Sequence, residues 1–383
     1  MFRRDRLTWL AYLALAWFAY LQGAPGVVMP HLRDELHLSY AAGGLHVAAF
    51  ATGSTVAGLI SSRLERRLGR ARLFWSAAAL LGVGAIGLTA ARVAVLTVGS
   101  VLLMGLGGGL LLVTIQALLV DRHGPNGAIA LTEANVAASS SYVVLIAALS
   151  AAAALHASWR MALLASLVVP VLAWSRNRRL PMEAPPSSDV VGGRLPGLFW
   201  VAAGMLVCTT AAEWCITAWG ASFVADAVDV SADTAVTLMV GYFGSVLGGR
   251  LLGSRLARRY DPAHLLGLAL AVGAAGFAVL WPATTTVQAL LGLALLGIGL
   301  GNLFPMAISV TVALAPGQTA LANGRAVAMA SLAVLLAPLV VGALADATSI
   351  KAALAVLPVV LVLAAAGLVV VQRSRRRIVE AEV

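Results

Sequence analysis

The chain has little charge, and its acidic residues are especially few. Only 11% of its 383 residues are charged and 16 are aspartate or glutamate, whereas 61% are hydrophobic. Soluble proteins carry about 25% charged and about 45–50% apolar residues. Because a compact soluble domain cannot hide this much apolar surface from water, the composition excludes a soluble enzyme. The chain must use the lipid bilayer as its solvent.

Cysteine is also scarce, with only Cys208 and Cys215 in one apolar block. On a helix these residues stand about 10 Å apart at a rise of ~1.5 Å per residue, which is beyond disulfide reach. We therefore interpret them as packing residues. The sequence shows no metal-ligand cluster, no nucleotide-binding loop and no catalytic constellation. It predicts neither an enzyme nor a resident metal or cofactor, apart from a coupling ion such as H⁺ or Na⁺.

The apolar residues come in long blocks rather than in the alternating pattern of membrane β-barrel strands. A helix needs about 20 mostly apolar residues to cross the hydrocarbon core. By this measure the chain contains twelve predicted spans: 7–30, 40–60, 72–91, 93–119, 127–154, 158–175, 197–223, 232–253, 262–281, 284–313, 317–343 and 350–371. An even number of spans places both termini on the same side of the membrane.

Lysine occurs only at Lys351, and 25 arginines supply the rest of the formal net charge of +10. Twenty-one of them fall on the side predicted to hold the termini, whereas Arg33, Arg92, Arg160 and Lys351 fall on the other. The positive-inside rule then predicts a multi-pass protein of the cytoplasmic (inner) membrane with both termini in the cytoplasm. This placement between spans argues against a nucleic-acid partner and favours contact with membrane lipids.

An internal repeat divides the chain in two. The segment SRLERR at 62–67 recurs as SRLARR at 254–259, an offset of 192 residues. The same offset carries the Gly-x-Gly-x-Gly pattern of 105–109 onto 297–301. Two matches at one offset predict two parallel six-helix halves, 1–175 and 197–383, joined by a polar cytoplasmic linker at 176–196.

Twelve predicted spans, a parallel repeat and an arginine-rich loop after spans two and eight together resemble the major facilitator superfamily. The resemblance covers the whole chain. It implies an all-α membrane protein whose halves are related by a pseudo-two-fold axis. It also implies a monomer that transports a small molecule by alternating access to a midplane site. Spans one, four, seven and ten would line that site.

Two family signatures are altered or missing. The loop after span two usually carries an aspartate where this chain has Arg66, so Glu65 is the nearest acidic substitute. Drug/proton antiporters of the superfamily carry an arginine in span four and a glycine-proline signature in span five, and neither occurs here. The sequence therefore disfavours a drug exporter of that type.

Span seven contains Glu213 and Trp219 at a spacing similar to that in the sugar-transporting branch that includes fucose/proton symporters. That resemblance implies uptake of a small polar, sugar-like solute coupled to protons or sodium. An ionisable group inside a span is costly and is a functional candidate by default, so Glu213 is the predicted proton carrier. The other predicted substrate-binding residues share cavity-lining spans, and they are Trp214, Thr217, Trp219, Trp17, Tyr20, Gln22, Thr114, Gln116 and Asn302.

Glu133 and Arg325 are 192 residues apart and occupy equivalent places in the two halves. In one interpretation both face the cavity, where Arg325 binds an anionic or hydroxyl-bearing substrate. In the other, which we favour, they form a cytoplasmic gate. The resemblance then pairs Glu133 with Arg258 or Arg259, and Arg325 with Glu65, while Arg66 belongs to the same loop.

The sequence thus predicts a secondary active transporter of a small polar solute. Two alternatives remain open. The protein could export amphipathic or drug-like compounds, or it could be a sensor or lipid-handling protein that transports nothing.

Overall fold

The computed structural model describes residues 4–182, 194–257, 259–316 and 318–382, and every regular element in these residues is helical. The first eight α-helices are α1 Arg6–Val27, α2 Met29–Leu36, α3 Tyr40–Leu68, α4 Arg70–Ala90, α5 Ala94–His123, α6 Gly127–Ala154, α7 Trp159–Ser166 and α8 Val168–Asn177. The rest are α9 Gly197–Val228, α10 Ala232–Leu238, α11 Val240–Leu256, α12 Pro262–Leu280, α13 Thr286–Val312, α14 Thr319–Ala347, α15 Ile350–Ala353 and α16 Val356–Glu382.

Short polar side chains begin many of these helices between the apolar runs. Such a residue satisfies a backbone N–H that has no partner within the helix. Asp5 accepts from the N–H of Thr8 at the start of α1, and Asp261 accepts from that of Ala263 at the start of α12. Ser39, Ser158, Thr285 and Ser349 act in the same way. These caps fix where each apolar segment starts.

Eleven helical segments in the described residues are long and apolar enough to cross a membrane. The predicted sixth span, 158–175, is not among them, and it corresponds to α7 and α8 with Leu167 between them. Pro170 explains the break. Proline has no N–H to bond the carbonyl of Ser166, and its ring crowds that carbonyl.

The chain forms two compact units. Unit 1 contains Met1–Ser187 and Ala232–Thr237, and unit 2 contains Ser188–Ser231 and Leu238–Val383. Within unit 1, α5 packs against α3 and α4, and α1 packs against α6. Within unit 2, α13 packs against α11 and α12, and α9 packs against α13, α14 and α16. Each unit therefore has its own helical core.

The sequence repeat reappears in the helix boundaries. Helices α4, α5 and α6 begin at Arg70, Ala94 and Gly127, and α12, α13 and α14 begin 192 residues later, at Pro262, Thr286 and Thr319. Helices α5 and α13 also hold equivalent positions within their units. The repeat is thus a repeat of helices and of their packing partners.

The repeated glycines let three helices come close together in each unit. A Cβ on Gly105 would overlap the backbone of Phe50 on α3, and one on Gly107 would overlap the backbone of Leu81 on α4. In unit 2, Gly297 meets Tyr242 of α11 and Gly299 meets Gly273 of α12 in the same way. Both contacts of the second set lie 192 residues after those of the first. Small residues allow such close approach in membrane helices.

Candidate functional site

Glu213 lies at the middle of α9, where its carboxylate meets an arginine from another helix. Its Oε1 atom accepts a hydrogen bond from Nη2 of Arg250 on α11, at 3.1 Å. The two side chains are 16% and 30% exposed, respectively. The pair therefore places one negative and one positive charge, largely out of solvent, within membrane-spanning helices.

Arg250 joins three helices of unit 2. Besides Glu213 on α9, its Nε donates to the backbone carbonyl of Gly301 on α13, at 3.1 Å. Because the guanidinium is planar and its donors have fixed directions, these two bonds orient it. Next to it, the side chain of Asn302 lies against Gly253 of α11, where a Cβ would overlap its Oδ1 atom.

Sequence reasoning missed Arg250 by counting it among the loop arginines. The structure places it inside α11, one helical turn before Ser254 of the repeated SRLARR segment. Comparison of the two repeats would have identified Arg250. The equivalent residue of the first half is Gly58, so an arginine stands at a membrane depth where the other half has no side chain.

The other predicted ligands in unit 2 differ in access. Trp214 is partly exposed beside Glu213. Thr217 is buried and donates to the backbone carbonyl of Glu213, whereas Trp219 is fully buried and donates to the carbonyl of Pro338 on α14, at 3.0 Å. Asn302 is partly exposed and donates to the carbonyl of Ile298. Of the two predicted tryptophan ligands in unit 2, Trp214 is therefore the one with part of its surface accessible.

In unit 1 most predicted ligands use their polar atoms to join helices. Both Trp17 and Tyr20 donate to α7, at Oγ of Ser166 (3.3 Å) and the carbonyl of Ala162 (2.8 Å). Gln22 accepts from the hydroxyl of Tyr142, and Thr114 donates to the carbonyl of Leu110 within its own helix, whereas Gln116 is exposed. Among these residues, Gln116 is the one that offers an exposed polar side chain.

Glu133 is held by the start of the chain. Arg4 donates to both of its oxygens, with Nε to Oε2 at 2.7 Å and Nη2 to Oε1 at 2.6 Å. The hydroxyl of Tyr12 on α1 donates to Oε2 at 3.0 Å. The carboxylate therefore fastens α6 to α1 and to the residue that precedes the α1 cap.

Glu65 also has a partner within unit 1. It accepts from Nε of Arg70 at 2.6 Å, and Nη1 of the same arginine lies 2.7 Å from Oδ2 of Asp121 on α5. Arg70 is 5% exposed, so its charge is balanced by two carboxylates at the ends of α3 and α5. Sequence reasoning singled out Glu65 but not Arg70 or Asp121.

The remaining predicted gate residues are arginines at helix ends or on helix surfaces. Arg66, Arg259 and Arg325 are exposed, and Arg258 lies outside the described residues. The proposed pairings of Glu133 with Arg258 or Arg259, and of Arg325 with Glu65, stay predictions.

Two further ion pairs lie outside the spans. Asp5 caps α1 and bonds Nη2 of Arg122 at 2.7 Å. Although partial burial opposes it, the hydrogen bonds from Thr8 and Arg122 lower the pKa of Asp5 to about 2. Glu35 accepts from the guanidinium of Arg160 and from the indole of Trp159, and the arginine above all holds the pKa of that carboxyl below its usual range. Both pairs fasten helix ends together.

The sequence matches the profile of the Major Facilitator Superfamily twice, over residues 8–200 and 201–382. The chain belongs to this superfamily. The division into two matches agrees with the 192-residue repeat. Membership confirms the predicted fold class, an all-α membrane protein of the major facilitator fold, and identifies a multi-pass membrane transporter rather than an enzyme.

Solved structures show the same fold. A bacterial homologue of the human lysosomal transporter Spinster, in an inward-facing and occupied conformation, matches with a TM-score of 0.81 at 14% identity. That match covers 97% of this chain and 98% of the other. The inward-facing unoccupied form gives 0.79, also at 14% identity, over 97% of each chain. A mutant of the nucleoside transporter NupG gives 0.75 at 12% identity, over 96% of this chain and 99% of the other. Among curated protein sequences, none matches this chain.

The described residues contain no group of three or more histidine, cysteine, aspartate or glutamate side chains that could hold a metal ion. The chemistry that the structure shows at Glu213 and Arg250 is that of an ion pair.

Proposed function

We propose that this superfamily member is a secondary active transporter of a small polar, sugar-like solute, driven by a proton or sodium gradient. The observation that carries the proposal is the Glu213–Arg250 ion pair between α9 and α11. Charges inside a span are rare because they are costly, and they commonly mark substrate and ion pathways.

The alternative is a purely structural role, in which the ion pair only stabilises unit 2. Burying two charges costs several kcal/mol per ion, and replacing such a pair with apolar residues is often neutral or stabilising. Stability alone is therefore a weak reason for placing a glutamate and an arginine in the membrane. In the proposed mechanism the Glu213 carboxylate separates from Arg250 and binds a proton or a cation instead. This exchange couples the movement of the ion to that of the solute.

Solute binding fits the surroundings of the pair. Trp214, the residue that follows Glu213 in α9, is partly exposed, and an aromatic ring offers a face against which the apolar side of a sugar packs. Thr217 and Trp219 are both buried. Thr217 donates to the backbone carbonyl of Glu213, and Trp219 bonds α9 to α14. Among the other predicted ligands, Gln116 of unit 1 is exposed and Asn302 of unit 2 is partly exposed. The polar atoms of Trp17, Tyr20, Gln22 and Thr114 are bonded within unit 1.

We further propose that the protein is a monomer of the cytoplasmic membrane, with both termini in the cytoplasm and anionic lipids around its arginine clusters. The supporting feature is the uneven distribution of arginine between the loops.

The test is uptake of radiolabelled sugars and sugar acids into proteoliposomes with an imposed proton gradient, an imposed sodium gradient or neither. We expect accumulation with one ion gradient and only equilibration without it. Solute expulsion driven by the same gradients, seen with amphipathic dyes but not with sugars, would favour the exporter. No flux of any compound, with correctly folded protein, would contradict transport and favour a sensor or lipid-handling role.

A further inference from the structure

We infer that the solute is a small organic anion whose carboxylate binds Arg250 while Glu213 carries a proton, so that one proton and one anion move together. This inference rests on the proposed function and names its substrate class. A sugar acid or hydroxy acid has the required chemistry, whereas a neutral sugar does not.

The argument begins with charge balance. In the structure Glu213 neutralises Arg250. When Glu213 takes up a proton, it no longer balances the arginine, because a guanidinium stays charged at every relevant pH. A guanidinium that loses its negative counter-charge inside a membrane-spanning helix is unfavourable. A carboxylate on the solute restores neutrality, but a hydroxyl group cannot.

The geometry favours the same conclusion. Nε of Arg250 is fixed to the carbonyl of Gly301 on α13, while Nη2 points to the carboxylate of Glu213 on α9. A solute carboxylate can therefore take the place of the Glu213 carboxylate at Nη2 without a change in the plane of the guanidinium. A hydrogen bond between a guanidinium and a carboxylate is also stronger than one between neutral groups. Arg250 is the more exposed of the two side chains, at 30% against 16%.

The charged surroundings of Glu213 are simple. On α11, Arg250 bonds its carboxylate and the hydroxyl of Tyr242 donates to its backbone carbonyl. The described helices packed against α9 carry their charges near helix ends, except α13, which has none. These charges are Arg325 and Asp346 on α14, Lys351 on α15, and Arg373 and Arg375 on α16, which are followed in the sequence of α16 by Arg376, Arg377, Glu380 and Glu382. Cys208 and Cys215 of α9 lie on other faces of the helix by their spacing. Protonation of Glu213 therefore removes the negative charge that balances Arg250.

The cycle balances in protons and in charge. A proton adds to the carboxylate of Glu213, and the solute carboxylate pairs with Arg250. On the other side the solute leaves, the proton returns to water, and Glu213 pairs with Arg250 again. The transported unit, one proton with one monoanion, carries no net charge. Accumulation of the solute should therefore depend on the pH gradient and be independent of the membrane potential.

The first experiment uses the full-length wild-type protein in proteoliposomes. The probes are radiolabelled galacturonate, glucuronate and lactate, each beside its neutral counterpart galactose, glucose or lactamide. An acidic exterior is expected to drive accumulation of at least one acid and of none of the neutral compounds. A potential imposed with potassium and valinomycin, without a pH gradient, is expected to drive no accumulation.

Each outcome decides between the proposals. If a neutral sugar accumulates and the acids do not, or if the potential alone drives acid accumulation, the inference is wrong while the proposed function stands. If no compound accumulates under any gradient, the proposed function fails, and the inference fails with it.

Two variants test the assigned roles by binding measurements in detergent with the acid that accumulates. Arg250→Gln should weaken binding on the order of 30-fold, as expected when one partner of a charge pair is removed. Wild-type binding should tighten by up to about tenfold for each unit of falling pH, because one proton is linked to it. Glu213→Gln should bind with no such pH dependence. Arg92→Gln, which changes an exposed arginine at the end of α4, is the control and should bind as wild type does.

If Arg250 served only to position Glu213, Arg250→Gln would still bind the acid, and the two variants would behave alike. That result would overturn the inference. If one variant proves unstable, the wild-type test with an imposed potential still decides it.

Discussion

At the scale of single residues, the charges of this chain fall into two environments. Asp5, Glu35 and Glu65 pair with arginines at helix ends. Glu213 instead pairs with Arg250 between the middle of one spanning helix and the interior of another. Ion pairs exposed to water contribute little stability. Inside a span, the loss of one charge of a pair leaves the other charge uncompensated, which is energetically costly.

The first prediction at this scale concerns stability. Glu213→Gln leaves Arg250 charged without its partner, whereas Arg250→Met leaves a carboxylate that can neutralise itself by taking a proton. We expect Glu213→Gln to lower the unfolding free energy by about 2 kcal/mol, less than for a fully buried pair because Arg250 is partly exposed. Arg250→Met should cost less, particularly at low pH. The double variant should recover part of the loss.

Thermal unfolding in detergent at pH 5 and pH 8 measures these differences. Equal losses for the two single variants at both pH values, without recovery in the double variant, would contradict the account of the pair.

The second prediction concerns Asp5. Its pKa is about 2 in the folded protein and about 3.9 in an unfolded chain. A lowered folded-state pKa stabilises the fold above the unfolded value, and that contribution is lost as pH falls through about 4 towards 2. Asp5→Asn keeps an N-cap but loses the charge that binds Arg122, so its melting temperature should change less over this pH range. Asp5→Ala should lose about 1 kcal/mol at neutral pH.

The melting temperatures of the three proteins between pH 7 and pH 2 check this expectation. An Asp5→Asn protein that loses as much stability as wild type below pH 4 would show that the Asp5 carboxylate is not the group responsible.

Residue-level reading of the sequence located Glu213 within a helix but did not identify its partner, Arg250. Glu213 could be recognised because a lone carboxylate interrupts an apolar run. Arg250 was missed because it stands only one helical turn from a genuine loop cluster, where hydropathy cannot separate span from loop. Trp17 and Tyr20 have the right depth for ligands, but only coordinates reveal that their polar atoms point to α7.

At the scale of helices, the repeated glycines are the best-predicted feature. Their 192-residue offset was read from the sequence, and in the structure each of these glycines faces a neighbouring helix. The break in the sixth predicted span was harder to foresee. Pro170 stands inside an apolar run, and proline in membrane helices is often accommodated without a division of the helix.

The glycine contacts give a matched pair of variants. Gly105→Ala would place a methyl group against the backbone of Phe50, so α3 and α5 must move apart, at a cost of about 1–3 kcal/mol. Gly99→Ala lies on the same helix with open space around it and should be neutral or stabilising by about 0.5–1 kcal/mol. Gly297→Ala should reproduce the Gly105 effect in unit 2, against Tyr242.

Melting temperatures of the three alanine variants measure this difference. If Gly105→Ala and Gly99→Ala had the same effect, close helix contact at the glycines would not be limiting for stability.

At the scale of the whole molecule, the sequence predicted the architecture because membrane folds are strongly constrained. Backbone groups in lipid must be satisfied within a helix, so apolar run lengths reveal helices directly. The 192-residue offset then gives the two halves. Substrate and coupling ion depend on a few side-chain contacts, such as that between Arg250 and Glu213, which no run length encodes.

The central claim is that Glu213 couples solute movement to the ion gradient. The most direct measurement compares gradient-driven accumulation with gradient-free exchange of the same solute, in proteoliposomes containing wild type, Glu213→Gln or the helix-end control Glu35→Gln. The account predicts that Glu213→Gln keeps exchange and loses accumulation, because exchange requires no ion release, while Glu35→Gln keeps both. Accumulation by Glu213→Gln at the wild-type level would contradict it.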